Sequence, residues 1–489
     1  LDSRAMTRSI NPVLAKRSSG VLLHLSSLDG SCAIGDLGPK AHEFAAWCAS
    51  AGFLWWQMLP IGPIGPGNSP YASTSSFAGE PLFVSLEALA DDGLLSKKDV
   101  RESVVAARKF SRKTNRAGSH SQTDYDAARM AKEPAFLRAF ENFRLGGGFR
   151  SASFRSFEKR EASWLKGWRA FTNDTSGYHG FLQFEFDKQW AAFRKTCTAV
   201  GLKLLGDIPM FVTLESADVM ANPELFRLDR SGRPEVLTGV PPDCFSKDGQ
   251  LWGHPHYRWS AHRAQNFRWW TQRIAASLRR FDGVRIDHFV GFHHAYEIPA
   301  GARNARRGKW RPQAGKELLT AASRALGALP FVAEDLGAVT PEVVALRKSF
   351  NLPGMKVLHH AFGRDNSGEL PHHHQHDCVV YPATHDNDTT RGWWKSLPAT
   401  SRKRFVRFAG STAALQPNEA MIRIAFESPA QLAIIPLQDI LGLDRSARMN
   451  LPGTPKGNWV WRLGTDWHAR RIPSAKNLHA LAALTGRIV

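Results

Sequence analysis

The chain has 489 residues and a formal net charge of +20, with 64 Lys and Arg against 44 Asp and Glu, a length that allows one enlarged barrel or two or three average domains. No apolar run reaches the roughly eighteen residues of a membrane-spanning helix, and the start LDSRAMTRSINPVLAKRSSG lacks a signal-peptide apolar region, so a helical membrane protein is excluded and an unexported one expected. Five widely spaced cysteines, Cys32, Cys48, Cys197, Cys244 and Cys378, include no C-x-x-C pair, which argues against a disulfide framework or thiolate zinc site and for the cytoplasm.

Short β-rich apolar runs recur along the chain. In order they are GVLLHLSSL (20 to 28), FLWWQMLPI (53 to 61), LKLLGDIPMFV (202 to 212), FDGVRIDHF (281 to 289), LPFVAEDLG (329 to 337), MKVLHHAFG (355 to 363), CVVYPATHD (378 to 386) and LAIIPLQDIL (432 to 441). Most lead into a helical pattern. FDKQWAAFRKTCTAVG, for example, puts Phe186, Trp190 and Phe193 on one face and has Gly201 as a stop. Eight apolar strands alternating with helices predict an α/β chain folded as a closed (β/α)8 barrel. The long gap between the second and third strands requires an insertion, helical and basic in content. The expected layout is barrel strands one and two in 19 to 83, a mainly helical subdomain in 84 to 185, and strands three to eight with smaller loop insertions in 186 to 489.

Function in such a barrel collects at the C-terminal strand ends. There the sequence offers Asp207, Arg285 and Asp287, Glu334 and Asp335, and His385 and Asp386. One acidic residue after a strand is ordinarily a helix cap; several at one end of one barrel suggest a site. Strand alternation points Arg285 and Asp287 the same way, so the guanidinium should keep Asp287 ionised as a nucleophile. Glu334 leaves an apolar run, an environment that raises a carboxyl pKa as a general acid requires. Such a contrast is that of glycoside chemistry, and a structural ion pair plus a cap is the equal alternative. The loops add Asn68, Ser69 and Tyr71 after strand two and Asp243, Gln250 and Trp252 after strand three, suited to sugar hydroxyls and faces or to plain surface packing.

The stretches SGVLLHLSSL, GNSPYASTSSFAGEPLFV, GDIPMFV, VPPDCFSKDGQLWG, FDGVRIDHFVGF, VAEDLGAVTPEV, LPGMKVLHHAF, THDNDTTRGWW and LPGTPKGNWVWR resemble the 4-α-glucanotransferases called amylomaltase or disproportionating enzyme, glycoside hydrolase family 77. The resemblance implies a barrel with inserted subdomains and no C-terminal β domain, acting on α-1,4-glucans and maltooligosaccharides without metal or organic cofactor. It makes Asp287 the nucleophile, Glu334 the acid/base, and Asp386 the carboxylate that holds the distorted sugar. Arg285 and His385 would position nucleophile and sugar, and Tyr71, Asp207, Asp243, Gln250, Trp252, Asp335 and Asn458 would line the groove. Retention requires the Asp287 and Glu334 carboxyls to stand roughly 5 to 5.5 Å apart. Val290, Tyr296, Cys244 and His254 depart from the usual family residues, which bears on groove shape and substrate preference.

Two histidine clusters compete in PHHHQHDCVVYPATHDNDT. His372, His373, His374 and His376 stand before strand seven, away from the barrel mouth and without typical zinc spacing, whereas His385 ends that strand. The second is the expected functional one. Rival readings are an α-glucan hydrolase with the same carboxylates and a basic nucleic-acid-binding protein, the latter supported by charge alone. The oligomeric state is open, with a monomer favoured.

Overall fold

The computed structural model describes residues 10–114, 122–242, 246–362, 367–464 and 467–488. Its strands are β1 Ser18–Leu22, β2 Trp55–Gln57, β3 Lys203–Ile208, β4 Val236–Val240, β5 Gln250–Pro255, β6 Gly283–Ile286, β7 His294–Pro299, β8 Lys309–Pro312, β9 Phe331–Ala333, β10 Gly354–Val357, β11 Cys378–Tyr381 and β12 Leu432–Pro436. Eight of them make a parallel sheet in the order β10-β11-β12-β1-β2-β3-β6-β9, and each falls on one of the eight apolar runs. Almost every residue of these strands is buried, the state that continuous Val, Ile and Leu runs require under helices on both sides.

The two ends of this sheet meet. Between β9 and β10 the Ala333 N–H donates to Pro353 O at 2.8 Å, and the Asp335 Oδ1 accepts from the Met355 N–H at 2.8 Å. Arg347 holds the other oxygen, Nε to Oδ2 at 3.0 Å. A Cβ on Gly354 would collide with this carboxylate, so glycine is what lets the side chain close the seam. The result is a (β/α)8 barrel.

The long insertion between β2 and β3 is helical, with helices Leu86–Asp91, Lys97–Thr114, Tyr125–Leu145 and Ala152–Phe171. The helix leading into β3 is Tyr178–Ala199, starting ahead of the expected boundary at 186. The subdomain's interior is aromatic: Phe143 lies 4.9 Å from Phe181 and 5.4 Å from Phe154, ring centre to ring centre. It is fastened to the loop after β1 by Lys132, fully buried, whose Nζ donates to Asp36 Oδ2 at 2.7 Å and to the carbonyls of Leu82 and Val84 at 2.8 and 2.9 Å. The chain's 16 Trp and 29 Phe are an aromatic surplus; of the tryptophans, all but Trp252, Trp259, Trp310 and Trp394 are buried, so that surplus is mostly core.

A second sheet, antiparallel and ordered β5-β4-β7-β8, joins the loops that follow β3 and β6. Sequence reading had these as loop insertions. Its β7–β8 turn braces the β4–β5 turn: Ala305 N–H donates to Asp248 O at 2.9 Å, and Arg306 Nε lies 2.6 Å from Asp248 Oδ1. Among the described residues only helices and loops follow β12, ending in helix Trp467–Leu484. Cys32, Cys48, Cys197 and Cys378 are free and buried, and Cys244 lies outside the described residues.

Candidate active site

The backbone ladder itself brings the first charges together. β3 and β6 pair so that Asp207 faces Arg285, and Arg285 Nη1 reaches Asp207 Oδ2 at 2.7 Å and Asp287 Oδ1 at 3.0 Å. Tyr71 completes the cluster, its hydroxyl donating to Asp207 Oδ2 at 2.8 Å. Ser69 shapes that loop, its hydroxyl accepting from the Tyr71 N–H as the cap of Pro70–Ala72.

Glu334 is stapled to the residues around Asp287. Its N–H donates to Ile286 O and its carbonyl accepts from the Phe289 N–H, both at 3.0 Å. Its Oε2 accepts from the His288 N–H at 2.6 Å. Across the mouth, the His385 ring stacks on Tyr71 at 5.2 Å and 15°, with Nε2 3.4 Å from Asp386 Oδ2. The returning loop after β12 secures Asp386. Asn450 donates to its Oδ1 at 2.6 Å, and Arg448 to its carbonyl at 2.5 Å. Trp459 closes the edge, 5.7 Å from Tyr71 and 5.9 Å from His385.

Burial governs the protonation of this cluster. It pushes Glu334 well above the ordinary carboxylate range, with Asp287 and Asp386 adding to the rise and Arg285 and the His288 N–H opposing it. Asp287 also rises, from burial, against Arg285. Arg285 thus favours the ionised form of Asp287 as expected, but the guanidinium is shared with Asp207 and desolvation outweighs it. Glu334, with no cation in direct contact among the described residues, is pushed well above the ordinary carboxylate range. Burial takes His385 down to about 4 against the pull of Asp386, leaving a neutral imidazole.

Gln250 and Trp252 stand on β5, where Trp252 Nε1 donates to Gln250 Oε1 at 3.3 Å and the Trp252 ring meets His288 edge-on at 4.9 Å. Two residues expected in the groove sit elsewhere. Asp335 is spent on the β9–β10 seam, its carboxylate taken by the Met355 N–H and Arg347. Asn458 holds its own loop, accepting from the Leu451 N–H at 2.9 Å and donating to Thr454 O at 2.8 Å. Asp243 lies outside the described residues. The sequence reading missed His288, Asn450, Arg448 and Trp459; LPGTPKGNWVWR and RIDHF contained two of them, but nothing in residue type marked their direction.

His374 of the other cluster is buried, with Nδ1 2.7 Å from Ser428 Oγ and Nε2 3.0 Å from Glu369 O. Among the described residues no group of three or more His, Cys, Asp or Glu is arranged to hold a metal ion.

Buried carboxyls of unequal proton affinity, gathered at the C-terminal mouth of a closed parallel barrel, define an enzyme of the glycoside-processing class. The family model described as 4-alpha-glucanotransferase matches residues 23–173 and 166–466. The chain is 40% identical to the 4-alpha-glucanotransferase of Synechocystis over 93% of its length and 95% of the relative's. It is 37% identical to that of Thermus thermophilus over 91% and 95%. The amylomaltase of Streptococcus agalactiae, solved in complex with acarbose, superposes with a TM-score of 0.85 at 30% identity, covering 97% of this chain and all of that one. The chain belongs to the 4-alpha-glucanotransferase family, glycoside hydrolase family 77, and its activity is the disproportionation of α-glucans.

Proposed function

We propose that the transfer proceeds by retaining double displacement, with Asp287 as nucleophile and Glu334 as acid/base. Asp287 attacks the anomeric carbon while Glu334 protonates the departing glucan oxygen. A covalent glucosyl-enzyme forms, and Glu334 then takes the proton of the incoming 4-hydroxyl as the new glycosidic bond closes. Asp386, fixed by Asn450, holds the distorted donor sugar and stabilises its developing positive charge. Tyr71 and the neutral His385 give that sugar a wall, and Arg285 with Asp207 orients Asp287. Ser69, Gln250 and Trp252 extend the groove, while Asp335 and Asn458 act through the barrel seam and the loop they hold. No step calls on a metal or organic cofactor.

The observation that carries this reading is the tethered pair: Asp287 held at 3.0 Å by Arg285, and beside it the more strongly raised Glu334 held by the His288 N–H. Buried free cysteines suit a cytoplasmic enzyme, and among the described residues no helix is long and apolar enough to cross a membrane. Maltotriose incubated with the protein should yield glucose and a ladder of longer maltooligosaccharides, with α configuration retained by NMR, and Asp287→Asn should abolish both. Glucose and maltose without a ladder would make water the main acceptor, and a β-configured first product would rule out double displacement.

A further inference from the structure

His288 follows Asp287 directly, yet the mechanism above gives its side chain no part. Its backbone is left-handed, φ +48°, a conformation uncommon outside glycine that His, like Asn and Asp, adopts more readily than most side chains. Here that backbone directs the N–H onto Glu334 Oε2 at 2.6 Å, a hydrogen bond that orients the carboxyl. Glycine would make the same turn, so the contacts of the imidazole are a separate feature of this position. The ring meets Trp252 edge-on at 4.9 Å and lies 6.4 Å from Phe211. Gly291 leaves it room, since a Cβ there would come within 3.0 Å of His288 Cδ2. The Nε2 is shut off from solvent with no hydrogen-bond partner among the described residues, so packing holds the ring. One residue thus touches both the Glu334 carboxyl, through its main chain, and Trp252 of the antiparallel sheet, through its ring.

We propose that His288 is a positioning residue that aims Glu334 through its left-handed backbone and couples that aim to the Trp252 hairpin through its ring. The inference rests on Glu334 being the acid/base. Two functions residing in separate parts of one residue can be separated by substitution. His288→Val disfavours the left-handed backbone because of its branched Cβ. His288→Gly keeps the turn and removes the ring.

The test is the pH profile of kcat/KM for maltotriose, with the ratio of hydrolysis to transfer measured on the same variants. In the free enzyme the alkaline limb reports loss of the Glu334 proton. Removing an N–H bond to the ionised carboxylate raises its proton affinity, so His288→Val should move that limb upward by about one pH unit and lower kcat by roughly a hundredfold. If His288→Val does not fold, His288→Ala is measured instead and should move the limb in the same direction. His288→Gly should keep the wild-type limb and raise the hydrolysis ratio, and adding Trp252→Ala to it should raise that ratio no further. A wild-type limb in the valine or alanine variant overturns the backbone role, and full additivity of the Gly and Trp252 changes overturns the coupling. Glu334→Gln retaining full activity would instead remove the acid/base reading, and this inference with it.

Discussion

Asp287 and Glu334 directly follow short apolar strands and Asp386 stands in the loop after a third, and barrel geometry sends such positions to one rim, which is why the sequence could bring them together. Their neighbour Asp335 was expected in the groove, whereas the Met355 N–H and Arg347 take its carboxylate at the β9–β10 seam, a pairing not visible in residue type. His288 was illegible because its role is carried by a backbone twist that residue type does not announce. A raised carboxyl also has a thermodynamic signature. Glu334 is protonated more readily folded than unfolded, so its contribution is fully present below the unfolded value, near 4.3. It is lost as pH rises through the folded value, where the buried group must ionise. Glu334→Gln should therefore melt at a higher temperature than wild type above neutrality and at nearly the same temperature below about pH 4, while losing activity. Equal melting at every pH would show that Glu334 is not held in a desolvated state.

The barrel strands could be read from sequence because burial on both faces leaves unbroken apolar runs. β4, β5, β7 and β8 could not. Every residue of β8 is exposed and most of β5 is half-buried, while β4 pairs with β7 across the whole of β5 and β6. Neither periodicity nor proximity in sequence marks such a sheet. This sheet brings Trp252 against His288 beside the carboxyl cluster; if it covers the acceptor there, Trp252→Ala should raise the ratio of hydrolysis to transfer severalfold on maltotriose, and an unchanged ratio would remove the hairpin from acceptor selection. The helical insertion makes a different prediction. Lys132→Met leaves Asp36 buried without its cation, a loss of about 3–5 kcal/mol measurable by urea unfolding; a loss below about 1 kcal/mol would mean that the subdomain is fastened by its aromatic packing instead.

At the scale of the molecule, the charge of +20 and the aromatic surplus were the least informative features. Most rings went into the core, and the excess of basic residues has no structural account here. The barrel's perimeter is more telling. Seven of its eight joints are strand ladders. The eighth is a clasp, in which one carboxylate and one arginine do the work of a row of amides, and Glu334 sits on its lip. A clasp opens as a single event where a ladder frays bond by bond, so this joint should be where the cylinder breathes. Asp335→Ala should speed amide hydrogen exchange in Phe331–Ala333 and Gly354–Val357 ahead of every other joint, and uniform exchange around the ring would show the clasp to be as strong as a ladder. In that picture the proton donor rides on the one stave of the barrel that can yield, and loosening it should misalign proton transfer before it unfolds the protein.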